Sequence, residues 1–438
     1  MDFVRSSIEE KNSPIWKFTR FDLNSRDFVI KGMWFFSDHQ DVEAMKKSLA
    51  EVLNHYPQLC GRIENEEGVK LNNTGVRWLV REEYTRTIEE VLSKKDPYTL
   101  FGTGMNIKEV WEGKAALLDV SVSNLRKGSI LSIECAHVCM DGDGFFTFLE
   151  NWSRLHRGQP VETPVRQIPE VFWDTMPSSE QAKQKVIELG WKQVKMSDLL
   201  QFIWQKITGI QKIVSPPIHL SESQVDGLKQ KVSGIAGKNV GTHAVLSAFA
   251  VKMGGSLGNL SDDAEVSQLS VMNLRSRIPE IDKSYAGNAV TVFPTKEFSM
   301  SLSLAEMAVI IQDTILSGIR SELDLKGYVL LNLAASAYKL PFTPFNLRGM
   351  NAARPNCFYV NNLLKFPVYS LDFGNGTPYQ SLPNDLPDAF KLWPSPPDNP
   401  GVDMYLRGRL AKKYNQLGDK TGWLEKLYRN TLLEMDQD

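Results

Sequence analysis

The sequence predicts an α/β protein built from two domains. Segments with a helical apolar period alternate with segments of strand-like period from one end of the chain to the other, without an internal repeat or a low-complexity block. A chain of 438 residues exceeds what one hydrophobic core usually serves. Its 42% of hydrophobic residues is enough for two cores.

The alternation lapses over residues 158–177, where GQPVETPVRQIPEVFWDTMP breaks both periodicities. We therefore predict a first domain over 1–180, a crossover segment over 181–215 and a second domain over 216–438. In the first half we predict strands over 27–37, 76–80, 115–122 and 129–136 and a helix over 41–55. In the second half we predict helices over 197–207, 221–232, 242–253 and 304–319 and strands over 266–273 and 287–294.

Charge and cysteine content argue against several classes of protein. The 50 Lys and Arg residues nearly balance 52 Asp and Glu residues, which disfavours a nucleic-acid partner or a membrane held by a basic surface. No apolar run reaches the roughly 18 to 20 residues of a membrane helix, and the amino end lacks an apolar signal region, so we expect a cytosolic protein. Four cysteines are few for a disulfide framework, and Cys135 and Cys139 lack the neighbours of a zinc site, so we predict no metal.

The candidate chemistry lies in residues 129–158. Apolar and polar residues alternate up to Cys135, so a strand that continued through His137 would turn its ring towards the apolar side. The turn MDGDG and an apolar stripe of helical period follow. The sequence therefore places one histidine between a strand and a helix that packs on the sheet.

This placement suits a general base. Imidazole titrates at a pKa of about 6.5 in model peptides, and a nearby helix N-terminus disfavours the imidazolium cation. Asp141 or Asp143 can cap the helix, and the glycines allow a tight turn. The residues alone leave a second interpretation open, in which His137 is a satisfied core residue and the aspartates are plain caps. A His followed four residues later by an acid and a glycine is expected only about 0.05 times in a chain of this composition.

Two motifs and several shorter segments resemble a known family. The sequence HVCMDG, from His137 to Gly142, resembles the HxxxDG motif of coenzyme A-dependent acyltransferases. The sequence DFGNG over residues 372–376 resembles the DFGWG motif of the BAHD branch of that superfamily. Supporting segments in family order are 48–62, NLRSR at 273–277, YAGN at 285–288 and 401–410.

The resemblance implies two chloramphenicol-acetyltransferase-like domains, each a mixed β-sheet flanked by helices, with a central channel. It also implies transfer of an acyl group from acyl-CoA, a cosubstrate and not a permanently bound cofactor, to a hydroxyl or amine of a small-molecule acceptor. His137 would act as general base through a tetrahedral intermediate. Members of this family are usually monomeric, so the resemblance also implies a monomer.

Further roles follow from the same resemblance. Asp141 would point away from the acceptor and pair with an arginine, for which Arg275 is the candidate, while Gly142 would keep the turn open. The DFGNG residues would hold the loop architecture on which coenzyme binding depends. Those residues are Asp372, Gly374 and Gly376.

The sequence departs from the family at two places. Asn375 replaces the tryptophan of DFGWG, and Asn361, Asn362 and Leu363 stand where many members have a T/S-S-W triplet whose first hydroxyl can stabilise the oxyanion. An amide N–H of Asn361 can replace that donor. An equally weighted interpretation is that Asn361 and Asn362 only hydrogen-bond the backbone groups left unpaired at the end of a strand.

Two rival functions remain open at this point. A degenerate relative would keep the fold and bind a metabolite or partner without catalysis. A condensation-type enzyme would use a carrier-protein thioester, although such domains usually have a second histidine where this chain has Ala136. The sequence does not single out the residues that bind the coenzyme phosphates; Lys229, Lys231 and Lys252 are weak candidates that more simply form a solvated surface.

Overall fold

The computed structural model describes residues 2–8, 12–93, 97–189, 191, 207–320, 325–335, 356–383 and 389–436, with a few single positions between 192 and 206. The helices are α1 Arg20–Leu23, α2 Val42–Val52, α3 Ile88–Leu92, α4 Pro97–Phe101, α5 Ile107–Trp111, α6 Gly142–His156, α7 Ser179–Glu188, α8 Glu222–Ala236, α9 Thr242–Gly258, α10 Leu304–Arg320, α11 Leu325–Ala335, α12 Gly408–Asn415 and α13 Lys420–Glu434. The first nine strands are β1 Asp2–Val4, β2 Ile15–Lys17, β3 Val29–Phe36, β4 Arg62–Glu64, β5 Gly68–Lys70, β6 Val76–Glu83, β7 Leu118–Leu125, β8 Ser129–Ala136 and β9 Ile218–Ser221. The others are β10 Glu265–Asn273, β11 Val290–Pro294, β12 Phe298–Ser299, β13 Cys357–Asn362, β14 Gln380–Leu382, β15 Ala389–Pro394 and β16 Gly401–Tyr405.

Two mixed sheets dominate the fold, as predicted. The first has the order β1-β6-β7-β8-β3-β14, with β6 and β7 parallel and the other neighbours antiparallel. The second has the order β11-β10-β13-β15-β16-β9, with parallel pairs on both sides of β13. A small three-stranded sheet, β2-β5-β4, completes the first half.

Each large sheet packs against helices. The fully buried Trp34 on β3 stacks on Phe145 of α6, and Trp152 of the same helix meets Trp78 of β6, so α6 covers one face of the first sheet. In the second half, α9 lies against β13, α8 and α10. Because α9 is enclosed in this way, its apolar residues occur all round the helix.

The sequence predicted most element positions. The structure confirms a helix within the predicted 41–55, β8 over the predicted residues, and α10. It adds that Asp41 caps α2 and that Ser303 and Glu306 form a capping box at the start of α10. It also confirms that residues 158–177 contain no helix or strand beyond one short 3₁₀ turn. The helix predicted over 197–207 lies largely outside the described residues.

Three differences affect the site. Strand β8 ends at Ala136 and a 3₁₀ turn follows, so strand alternation does not set the direction of His137. Strand β11 begins at Val290 and not at residue 287. Strand β14 comes from the late part of the chain yet pairs with β3 of the first sheet, so the segment after β13 returns to the first half. The boundaries at 180 and 215 stay a prediction.

The packing of α9 on β13 can be tested at a glycine. A methyl group on Gly254 would overlap the Phe358 ring, whereas one on Gly234, exposed on α8, would meet no atom. We expect Gly254→Ala to lower the free energy of unfolding by about 1–3 kcal/mol. Gly234→Ala should instead raise it by about 0.5–1 kcal/mol. Urea unfolding of both variants measures the difference; equal stability of the two would contradict this packing.

Candidate active site

His137 lies at the junction between β8 and α6. Its backbone N–H donates to Phe28 O at 2.9 Å, which ties the start of the 3₁₀ turn to the chain just before β3. Its side chain is part-buried, whereas the residues on either side of it, Ala136 and Val138, are fully buried. The ring is thus held at the edge of the core.

The Asn288 amide fixes the tautomer of His137. Asn288 Nδ2 donates to Asp22 Oδ1 and to His137 O, each at 2.9 Å. An ionised carboxylate and a backbone carbonyl can only accept, so the amide nitrogen must face them. Asn288 Oδ1 therefore faces His137 Nδ1, at 3.1 Å, and accepts its proton. In the neutral ring the lone pair then lies on Nε2.

Asp22 is the third member of this network. Its side chain has no exposed surface. Oδ2 accepts from the backbone N–H and the hydroxyl of Thr19, both at 2.7 Å, while Oδ1 accepts from the backbone and side-chain N–H groups of Asn288. Burial raises the pKa of Asp22 to about 6, against the lowering effect of these hydrogen bonds. The carboxylate is ionised above that pH.

Asp141 joins three segments at the start of α6. It caps the helix by accepting from Gly144 N at 3.0 Å, pairs with both Arg275 Nη atoms at 2.8 and 3.0 Å, and accepts from Ala289 N at 2.8 Å. Burial alone would raise the pKa of Asp141, but the Arg275 charge and these hydrogen bonds outweigh it and lower the pKa. The pairing expected of Arg275 is present in the structure.

Arg275 also holds the loop that carries Asn288. It donates to Tyr285 O at 2.9 Å and to Gly287 O at 2.6 Å. Since Ala289 bonds to Asp141, the loop is fixed on both sides of Asn288. This explains why β11 starts late: the backbone N–H groups of Asn288 and Ala289 are used by the site and not by a strand partner.

The glycines of the turn have unequal roles. Gly142 has no positive φ, and a methyl group there would lie 3.3 Å from the Phe366 ring. A methyl group on Gly144 would lie 2.6 Å from Ala286 O. The close approach of α6 to the Asn288 loop therefore depends on Gly144, which the sequence interpretation did not single out.

The DFGNG loop lies at the other end of α6. Asp372 exchanges two backbone hydrogen bonds with the Ser153 hydroxyl, both at 2.9 Å, and its carboxylate accepts from Gly374 N at 2.8 Å. Gly374 and Gly376 have φ values of +93° and +89°, which favour glycine. A helix of 15 residues is about 22 Å long, so Asp372, Gly374 and Gly376 are not brought to His137.

Asn361 and Asn362 end β13 and differ in their contacts. Asn362 Nδ2 lies 3.3 Å from His243 Nδ1, and its Oδ1 accepts from Leu364 N at 3.1 Å. Asn361 is half-buried and opposite Lys391 in the sheet. No hydrogen bond within the described ranges joins Asn361 to His137.

Two of the three candidate lysines pair with acidic residues at the end of α13 or just after it. Lys231 Nζ contacts Asp436 at 2.6 Å, and Lys252 Nζ contacts Glu434 at 2.8 Å. These contacts favour the structural interpretation of both lysines. Lys229 is half-buried on α8.

The sequence interpretation missed the roles of Asn288 and Asp22. Asn288 belongs to the YAGN element, which was recognised only as a supporting segment. Asp22 had a local signal, since Thr19 and Asp22 form the capping box of α1. That signal predicts a helix start but does not indicate that the same carboxylate reaches the histidine network.

Comparison with known proteins identifies the family. The profile of the group described as the Transferase family matches residues 16–408. The chain belongs to this family, the BAHD acyltransferases. Members use acyl-CoA as cosubstrate, so the protein is an acyltransferase of that type. The structure contains no helix within its described part that is long and apolar enough to cross a membrane.

Proteins similar in sequence to this BAHD acyltransferase include plant enzymes. It is 22% identical to omega-hydroxypalmitate O-feruloyl transferase of Arabidopsis thaliana, over 80% of this chain and 75% of the relative. It is 24% identical to tryptamine hydroxycinnamoyltransferase 2 of Oryza sativa subsp. japonica, over 89% of both chains.

Solved structures share the fold of this BAHD acyltransferase. Vinorine synthase superposes with a TM-score of 0.68 at 15% identity, covering 95% of both chains. The F. graminearum TRI101 complex with coenzyme A and T-2 mycotoxin superposes with a TM-score of 0.69 at 14% identity, covering 93% of this chain and 98% of that one.

The buried pair at the turn leads to a stability prediction. Asp141→Asn leaves the buried Arg275 guanidinium with only the more exposed Asp143, 3.4 Å from its Nε, as countercharge, so we expect a loss of about 3 kcal/mol in the free energy of unfolding. The double variant Asp141→Asn/Arg275→Met removes both charges and should recover part of that loss. Asp313→Asn, which breaks the exposed pair with Lys238, is the control, with an effect of about 0–1 kcal/mol. Denaturant unfolding measures all three; a double variant less stable than Asp141→Asn would contradict this account.

Proposed function

We propose that this protein moves the acyl group of an acyl-CoA thioester to a hydroxyl or amine of a small molecule, with His137 as general base. The observation that carries the proposal is the contact between Asn288 Oδ1 and His137 Nδ1, which assigns the ring proton to Nδ1 and the lone pair to Nε2. A base needs its acceptor nitrogen in that state before substrate binds.

The proposed reaction has no covalent enzyme intermediate. Nε2 takes the proton of the acceptor O–H or N–H as the acceptor oxygen or nitrogen attacks the thioester carbonyl carbon. The tetrahedral intermediate then collapses, the C–S bond breaks, and the imidazolium proton passes to the coenzyme thiolate. Donor and acceptor would reach His137 from opposite mouths of a channel between the domains.

Other motif residues have supporting roles in the proposal. Asp141, Arg275 and Gly142 shape the turn on which the base sits. Asp372, Gly374 and Gly376 hold the loop architecture for coenzyme binding, supported by the hydrogen bond that closes this loop and by its two positive φ values. We further propose a monomeric, cytosolic enzyme.

The acceptor class defines the assay. The name of one relative gives a hydroxy acid, omega-hydroxypalmitate, that receives a feruloyl group on oxygen. The name of another gives an amine, tryptamine. We therefore propose a panel that combines several acyl-CoAs, aromatic ones included, with alcohols and amines.

Removal of the base should abolish most of the transfer. With the pair of substrates that gives the highest rate, we expect His137→Ala to lower kcat by about 10²- to 10⁴-fold. His55→Ala, in an exposed hydrogen bond with Thr163, should retain the wild-type rate. Thiol release from acyl-CoA, with product identified by mass spectrometry, measures the transfer. If the wild type released thiol no faster than His137→Ala with every donor–acceptor pair, the proposed acyltransferase activity would be refuted.

Asn361 has two possible roles, and mutation separates them. If its amide donates to the oxyanion, Asn361→Ala lowers kcat by about 10²- to 10³-fold, and Asn361→Ser, which restores a donor, recovers part of the rate. If it only satisfies the strand end, both variants keep kcat. Asn356→Ala, at the opposite end of the same strand, is the matched control. Steady-state kinetics at saturating donor and acceptor distinguish the two results.

A further inference from the structure

Asp22 is a buried carboxylate without a cation. In the described part of the chain, every hydrogen bond that the Asp22 carboxylate accepts comes from Thr19 or Asn288. None of the lysines or arginines of that part forms an ion pair with it. Asp141, equally buried, is neutralised by Arg275. An unneutralised buried charge is unfavourable, as the raised pKa of Asp22 reflects. Such a group is expected where its charge serves a function.

The contacts of Asp22 lead directly to the base. Its Oδ1 receives both N–H groups of Asn288, at 3.1 and 2.9 Å, and the other atom of the same amide receives the Nδ1 proton of His137. The carboxylate therefore lies one amide group away from the imidazole. Backbone bonds of Asn288 and Thr19 to Asp22 hold these parts in place.

We propose that Asp22 is a positioning residue for the base: through the Asn288 amide it holds His137 as the Nδ1–H tautomer and stabilises the imidazolium that forms when Nε2 accepts a proton. The inference goes beyond the proposed function and rests on it for the identity of the base. When the imidazolium forms, its Nδ1–H still donates to Asn288 Oδ1, and the amide dipole points its positive end at the Asp22 charge. The arrangement thus favours the charged ring without a direct His–Asp contact.

The arrangement has a pH dependence of defined sign. Above pH about 6 Asp22 is ionised and accepts all four donors; below it, protonation removes the charge. The other titratable groups facing Asp22 are the phenol of Tyr285, whose pKa burial raises, and the thiol of Cys139, whose pKa is raised by its hydrogen bond to Cys135. Neither ionises near pH 6. The acid limb of the wild-type rate profile therefore includes Asp22 in addition to the base.

A double-mutant cycle tests the connection. Asp22→Asn keeps the shape and removes the charge, and Asn288→Ala removes the bridge. We expect each to lower kcat by about 10- to 100-fold with KM changed by less than about twofold, because neither touches substrate. Because Asp22 acts through Asn288, the double variant should lose no more kcat than the single variant with the larger loss. The Asp22→Asn profile should also lose the step near pH 6.

Asp119→Asn is the matched control. Asp119 is a buried carboxylate of the first sheet with a pKa raised by burial, and it accepts from Arg77 and Thr103, not from the histidine network. Its replacement should lower stability and leave kcat near the wild-type value. If Asp119→Asn lost as much kcat as Asp22→Asn, both losses would be explained by lower stability, and the proposal would be overturned.

The tautomer can be measured without substrate. Nitrogen-15 NMR of histidine-labelled protein reports the proton on each ring, and His137 among the six histidines is assigned by comparison with His137→Ala. We expect the Nδ1–H form in the wild type and a growing Nε2–H fraction in Asp22→Asn and Asn288→Ala. An unchanged tautomer in Asp22→Asn, or additive losses of log kcat in the cycle, would overturn the proposal. If the wild type transfers no acyl group, the proposed function fails, while the NMR result still decides whether Asp22 orients His137.

Discussion

The site depends on the buried ion pair between Asp141 and Arg275. The side chains of these residues are 1% and 3% exposed, so each charge requires a close counterion, and Arg275 has the more exposed Asp143 as a second one. The Asp141 carboxylate caps α6 and binds the backbone N–H of Ala289. The Arg275 guanidinium donates to the carbonyls of Tyr285 and Gly287, in the loop that leads to Ala289. One pair of charges therefore aligns a helix of the first half with a loop of the second. Because that loop is held, Asn288 reaches the His137 ring.

Helix α6 connects the two family motifs. Its amino end carries the HxxxDG turn, and its carboxyl end binds the DFGNG loop through Ser153 and packs Phe373 against Trp152. The aromatic core beneath the helix keeps both ends in register, with Trp34 stacked on Phe145. Because the loop then continues into β14 and pairs with β3, the late part of the chain is built into the first sheet. The motifs are far apart in sequence and separated in space by one rigid element.

Periodicity predicted the elements whose local pattern decides their structure. Strand β8 and helix α10 follow from their strand-like and helical apolar periods, because both patterns depend on neighbours within a few residues. The prediction was wrong where tertiary contacts compete with the pattern. Residues 287–289 read as the start of a strand, yet the backbone N–H groups of Asn288 and Ala289 bind carboxylates of other segments. The late strand β14 carried no signal for its partner, since pairing across the chain leaves no local periodicity.

The sequence by itself determined the acid–base candidate, its place between a strand and a helix, the family and the arginine that pairs with Asp141. Only the tertiary structure decided what holds the histidine. Asn288 is 151 residues from His137 and 266 residues from Asp22, and the three side chains meet through hydrogen bonds of about 3 Å. A local pattern reports which face of an element is buried, but the partner of a buried polar group depends on where the folded chain returns. For this reason the local sequence around Asp22 indicates only the start of α1, whereas the fold places its carboxylate against the amide that bonds His137.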